Sequence, residues 1–131
     1  MAEKILYVED DPDIQIVARL ALERIGGFTV KVCSSGREAL QQAEAFAPDL
    51  VLLDVMMPEM TGPQTLLALR QLPGLARVPM VFVTAKTQKS EVENYLQLGV
   101  VGVISKPFDP MKLAATVRSY LERGRNGAPR A

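Results

Sequence analysis

The sequence predicts an α/β domain, doubly wound around a five-stranded parallel sheet. Three observations carry that expectation. Five short apolar runs rich in β-branched residues alternate with longer stretches of helical period. The third run, Leu50 to Leu53, is unbroken in its apolar character, as a central strand covered on both faces has to be. Parallel neighbours need helical crossovers, and right-handed crossovers put helices on both sides of the sheet. The chain has 131 residues, 48% of them hydrophobic, which suffices for one compact domain.

The first strand, Lys4 to Val8, stops at Glu9-Asp10-Asp11. Asp11 is a natural N-cap, and Pro12 suits the first turn of a helix whose apolar positions include Ile14, Val17, Leu20 and Ile25. Gly26 and Gly27 end that helix, and Phe28 to Val32 is the second strand, leading into Cys33. Ser35 with Glu38 three residues on reads as a capping box for a helix through Phe46, closed by Pro48. Leu50 to Leu53 then runs straight into Asp54. Past the turn at Met57-Pro58, Thr61 to Leu72 is a helix, Pro79 to Thr84 the fourth strand, Ser90 to Leu98 a helix and Val100 to Ile104 the fifth strand. Asp109 and Pro110 open a last helix that runs to about Arg123, so residues 1–123 make the domain. Residues 124–131 are a Gly-, Pro- and Arg-containing tail or linker.

Composition narrows the function. Fifteen basic and fifteen acidic side chains give a formal net charge of zero, no excess with which to hold nucleic acid or an anionic membrane. No run approaches the length of a membrane span and no signal pattern opens the chain, so a cytoplasmic location is expected. The lone Cys33 reads as a buried thiol in a reducing compartment. Histidine is absent, which leaves carboxylates, hydroxyls and lysines to carry any chemistry.

In open parallel sheets the site lies outside the carboxyl ends of the strands. The polar residues at those ends are Glu9 and Asp10 after the first strand, Asp54 after the third, Thr84 after the fourth and Lys106 after the fifth. With strand order 2-1-3-4-5 these five converge on one edge. Carboxylates in contact repel by about 4 kcal/mol per close pair at an effective dielectric of about 20. Lys106 offsets one charge of three, and an all-oxygen donor set without His or Cys selects a hard divalent ion that keeps several waters, which points to Mg2+. Such an ion beside a carboxylate is suited to gripping a phosphate while the carboxylate attacks phosphorus.

The motifs Leu6-Tyr7-Val8-Glu9-Asp10-Asp11, Asp49-Leu50-Val51-Leu52-Leu53-Asp54-Val55-Met56-Met57-Pro58 with Gly62, Val83-Thr84-Ala85 and Lys106-Pro107-Phe108 resemble those of response-regulator receiver domains over residues 3–123. The resemblance implies the flavodoxin-like (β/α)5 form of the sheet and a two-component phosphorelay. It makes Asp54 the phosphoacceptor, Asp10 and Asp54 direct magnesium ligands, the Met56 backbone carbonyl a further ligand and Glu9 a ligand through water. Thr84 then reads the phosphoryl group and Lys106 pairs with it, ahead of a cis bond to Pro107. The implied partners are a histidine kinase or phosphotransfer protein and an unnamed downstream target, with no nucleic acid bound by this chain itself. Such a chain is not an enzyme beyond catalysing its own phosphorylation and dephosphorylation.

Simpler explanations compete residue by residue. Helix capping accounts for Asp11 in full, and Thr84 is an ordinary strand residue whose role leans on the resemblance. Met56, Met57 and Met60 read first as adaptable packing. Val103 departs from the family habit of a Tyr or Phe at that place, and Gly99-Val100-Val101-Gly102 replaces its small-acid-acid stretch, so an aromatic relay is not expected. A haloacid dehalogenase-type phosphatase is disfavoured because Asp13 falls inside the first helix and no cap domain has room. A flavodoxin-like mononucleotide binder is disfavoured because Glu9-Asp10-Asp11 repels a bare phosphate. A receiver-shaped interaction module that is never phosphorylated is the serious rival, and the full set of site residues argues against it.

Overall fold

The computed structural model describes residues 2–126; of the expected tail, residues 124–131, positions 127–131 lie outside the described residues. Five strands, β1 (Lys4–Val8), β2 (Thr29–Cys33), β3 (Leu50–Asp54), β4 (Met80–Thr84) and β5 (Gly102–Ser105), form one parallel sheet in the order β2-β1-β3-β4-β5. The helices are α1 (Pro12–Leu20, prolonged by a π-helical segment Ala21–Ile25), α2 (Gly36–Phe46), α3 (Gly62–Arg70), α4 (Lys89–Gln97) and α5 (Pro110–Asn126). The doubly wound architecture is the expected one.

Two cores follow from the two-residue repeat of the strands. On one face Ile5, Tyr7, Leu50, Leu52, Val81 and Val83 meet Ala18, Leu22, Val117 and Leu121 of α1, its π segment and α5. On the other, Leu6, Val8, Val51, Leu53 and Phe82 meet Ala39, Ala43, Leu66 and Leu69 of α2 and α3. Every side chain of β3 and β4 is buried, as central strands require. Helix α4 buries none of its residues. Its Tyr95 ring meets Phe82 in a T-shaped pair, with centroids 5.3 Å apart.

The structure corrects the face of α1. Val17, Leu20 and Ile25 are 42%, 50% and 50% exposed, whereas Ala18, Ala21 and Leu22 are buried and Ile14 is partly so. Small alanines let the helix lie close to its neighbours, and the π segment, closed by the Gly26 amide on the Ala21 carbonyl, turns Leu22 inward. Gly26 is needed there because a Cβ would stand 2.7 Å from the Phe28 ring.

Other boundaries shift by one to three residues. β5 begins at Gly102 rather than Val100, because Gly99 adopts φ +102° and the ladder with β4 starts only at the Val81–Gly102 pair. α5 continues to Asn126, three residues past Arg123. α3 stops at Arg70, whose guanidinium instead collects the carbonyls of Leu75, Ala76 and Val78 in the following turn. At α2 the Ser35 hydroxyl accepts from the Glu38 amide as the capping box requires, but Glu38 accepts from the amide of Ser34. Cys33 is free and buried, and burial, aided by Glu38, pushes its thiol up to about 11.

Candidate acidic phosphoacceptor site

The site stands where β1, β3, β4 and β5 end together. Glu9 continues β1 by donating its amide to the Cys33 carbonyl, and its side chain is wholly buried. Asp10 follows, exposed at the rim. Asp11 caps α1, its carboxylate accepting from the Asp13 amide at 2.9 Å, and its own amide donates to Glu9 Oε2 at 3.1 Å. The sharp turn from strand to helix thus holds Glu9 from the side of the backbone.

Asp54 ends β3 and is 3% exposed. The next loop folds back so tightly that a Cβ on Gly62 would lie 2.5 Å from the Asp54 carbonyl oxygen, while the Gly62 amide donates to Val55 O at 2.9 Å. A glycine is therefore required at position 62 for the loop carrying Met56 to cover the strand end. Met56 lies in that loop with its side chain exposed. Thr84 ends β4, buried, and its hydroxyl accepts from the Lys86 amide at 3.0 Å. Lys106 follows β5, tied by its amide to Thr84 O and joined to Pro107 by a cis bond. Val103, paired in register with Phe82, is partly buried and packs with Tyr95 against the same core.

The convergence is met in atoms. One carboxylate oxygen from each of Glu9, Asp10 and Asp54 lies within 4.8 Å of the others. The Lys106 ammonium lies 2.8 Å from Glu9 Oε1 and 3.0 Å from Asp54 Oδ1. Burial pushes the Asp54 carboxyl up from 3.8 to about 6; Lys106 opposes the shift and the Glu9 carboxylate adds to it. Burial also acts to lower the Lys106 ammonium, but hydrogen bonds and charge from Glu9 and Asp54 outweigh it and hold it above 10.5. Three carboxylates against one ammonium leave two negative charges uncompensated, the charge of one divalent cation. Oxygen donors alone suit a hard ion.

The strand ends thus bring together Glu9, Asp10, Asp54 and Lys106, with Thr84 on the adjoining strand. Two features escaped sequence reasoning. Lys106 is bonded as closely to Glu9 as to Asp54, which no spacing reveals across 97 positions of chain. The Tyr7 hydroxyl donates to Glu9 Oε1 at 3.0 Å, and here a signal existed, since residues i and i+2 of a strand share a face.

The chain is similar to known proteins over nearly its whole length. The family model described as response regulator receiver domain matches residues 5–118. The alkaline phosphatase synthesis transcriptional regulatory protein PhoP of Bacillus subtilis is 37% identical over 129 residues, 98% of this chain and 52% of its own length. This chain therefore spans about half the length of the curated relatives it matches. The chemotaxis response regulator CheY4 of Vibrio cholerae superposes with a TM-score of 0.85 at 29% identity, covering 92% of this chain and 99% of that one. The receiver domain of a sensor histidine kinase from Pseudomonas aeruginosa, with a magnesium ion coordinated in its active-site cleft, superposes with a TM-score of 0.81 at 30% identity, covering 93% and 99%.

Proposed function

The chain belongs to the response regulator receiver family of two-component signalling, and on that premise we propose that Asp54 accepts a phosphoryl group in a magnesium-dependent reaction. The observation that supports this reading is the buried Asp54 carboxylate, bonded to Lys106 and within reach of two further acids. Asp10 and Asp54 would hold the ion directly, with the Met56 carbonyl, and Glu9 through water. The similar kinase receiver carries magnesium in its cleft. When bound, the ion supplies positive charge to the phosphoryl oxygens.

The chain's own residues do the remainder. An ionised Asp54 oxygen attacks phosphorus as the bond to the donor nitrogen breaks, the electron pair leaving with the imidazole of a histidine kinase or phosphotransfer protein. Lys106 follows the charge from Asp54 to a phosphoryl oxygen, and Thr84 offers its hydroxyl to another. The chain catalyses only its own phosphorylation and dephosphorylation and signals by altered binding, in the cytoplasm. Among the described residues no helix is long and apolar enough to cross a membrane.

The test is intact-mass analysis after incubation with magnesium and acetyl phosphate. Wild type gains one phosphoryl group and Asp54→Asn gains none. Labelling of that variant would place the acceptor elsewhere, and an unlabelled wild type would favour an interaction module that is never phosphorylated.

A further inference from the structure

Tyr7 is a phenol where a phenylalanine would fill the same space. It is 1% exposed, opposite Leu52 of β3 in the apolar core between the sheet and α1 and α5. A hydroxyl in such surroundings costs free energy unless it has a partner. Its partner is Glu9 Oε1, two residues further along the same face of β1.

That oxygen is shared. Oε1 also accepts from the Lys106 ammonium at 2.8 Å, while Oε2 takes the Asp11 amide at 3.1 Å. The three donors are not equivalent. The Tyr7 hydroxyl and the Asp11 amide are neutral and fixed by β1 and its turn, whereas Lys106 is a charge on a flexible stem that already divides itself between Glu9 and Asp54. A divalent cation among the acids repels the ammonium, and a phosphoryl group on Asp54 attracts it. Either would take Lys106 from Glu9, the cation by displacing it and the phosphoryl group by attracting it, and Oε1 would then be a buried anionic oxygen in need of a donor that the cation does not repel.

We propose that Tyr7 is a positioning residue, its hydroxyl holding the Glu9 carboxylate towards the cation site once a cation has displaced Lys106 from Glu9. This rests on the phosphoacceptor reading above. The simpler role, ring packing alone, predicts that the hydroxyl is irrelevant to the metal.

Magnesium titration of the full chain, followed by amide chemical shifts at Asp10 and Asp11, separates the two. Wild type saturates, and Tyr7→Phe binds at least about ten-fold more weakly, the loss of one hydrogen bond to a charged acceptor. In a Glu9→Gln background, where residue 9 carries no charge to position, adding Tyr7→Phe changes the affinity less than about two-fold. Equal affinity of Tyr7→Phe and wild type overturns the proposal, as does an undiminished effect in the Glu9→Gln background. A wild type that ignores magnesium overturns the phosphoacceptor reading and this proposal together. One measurement needs no variant. The Tyr7 hydroxyl proton stays protected from solvent exchange in both metal-free and magnesium-loaded protein, and loss of that protection on loading overturns the proposal.

Discussion

Titrating magnesium into the metal-free domain, at constant ionic strength, raises its unfolding midpoint. Glu9, Asp10 and Asp54 present carboxylate oxygens within 4.8 Å of one another, and Lys106 compensates only one of their charges. This cluster exists only in the fold, so the ion stabilises the native state by mass action. Above the dissociation constant each tenfold rise in free ion adds about 1.4 kcal/mol, whatever the constant is. An unfolding entropy of about 2.1 cal/mol/K per residue gives about 0.25 kcal/mol/K for a domain of this size. The midpoint should then climb by about 5 °C per decade of magnesium once binding begins. Differential scanning calorimetry from about 0.1 to about 100 mM reads this directly. The pH dependence has a definite sign. Because burial pushes the Asp54 carboxyl up to about 6, a proton competes with the ion below that pH, and binding onset moves to higher magnesium by up to about tenfold per pH unit. A midpoint moving less than about 1 °C per decade near pH 7.5, or moving equally in Asp54→Ala, would refute the reasoning.

Three further expectations follow from the same atoms. In chelator, the metal-free fold holds the Asp54 proton more tightly than the unfolded chain, so this group favours the fold at low pH and that contribution is lost as pH rises from about 4 through about 6. The rise from 3.8 to about 6, at about 1.4 kcal/mol per pH unit, amounts to at most about 3 kcal/mol, and the urea-derived stability of wild type relative to Asp54→Asn should fall across that window. A difference that is flat or rises with pH would contradict it. Lys106→Ala leaves the buried Glu9 and Asp54 carboxylates facing one another and should cost about 3 kcal/mol without metal while remaining phosphorylatable by acetyl phosphate, and wild-type stability in urea would contradict it. Because Val103 is a small, stiff side chain already packed with Tyr95 against the core, the beryllofluoride phosphoryl mimic should shift amides at Thr84 to Lys86 more than at Val100 to Ile104. Equal, concerted shifts in both would contradict it.

What the sequence by itself determined was whatever depends on local chemistry and the strand repeat. Apolar runs that end in Glu9, Asp54, Thr84 and Lys106 specify buried strands whose polar ends share an edge, and Asp11 with Pro12, or Ser35 with Glu38, specify helix starts within a residue. The tertiary structure decided what depends on which surface meets which. In α1 both Val17 and Ala18 are compatible with a helical stripe, and only the closeness of α5 and the π turn at Ala21–Ile25 selects Ala18 and Leu22 for the core. β5 shows the same limit, since Val100 and Val101 are as strand-like as Val103, and pairing with Val81 at Gly102 sets the start. At the site, residue types implied an acid cluster with one lysine, but not that the lysine bridges Glu9 and Asp54 or that Tyr7 reaches Glu9 from the core. Those contacts join distant strands, or a core face to a strand end, and only folding brings such atoms within about 3 Å, where the direction of each hydrogen bond is settled.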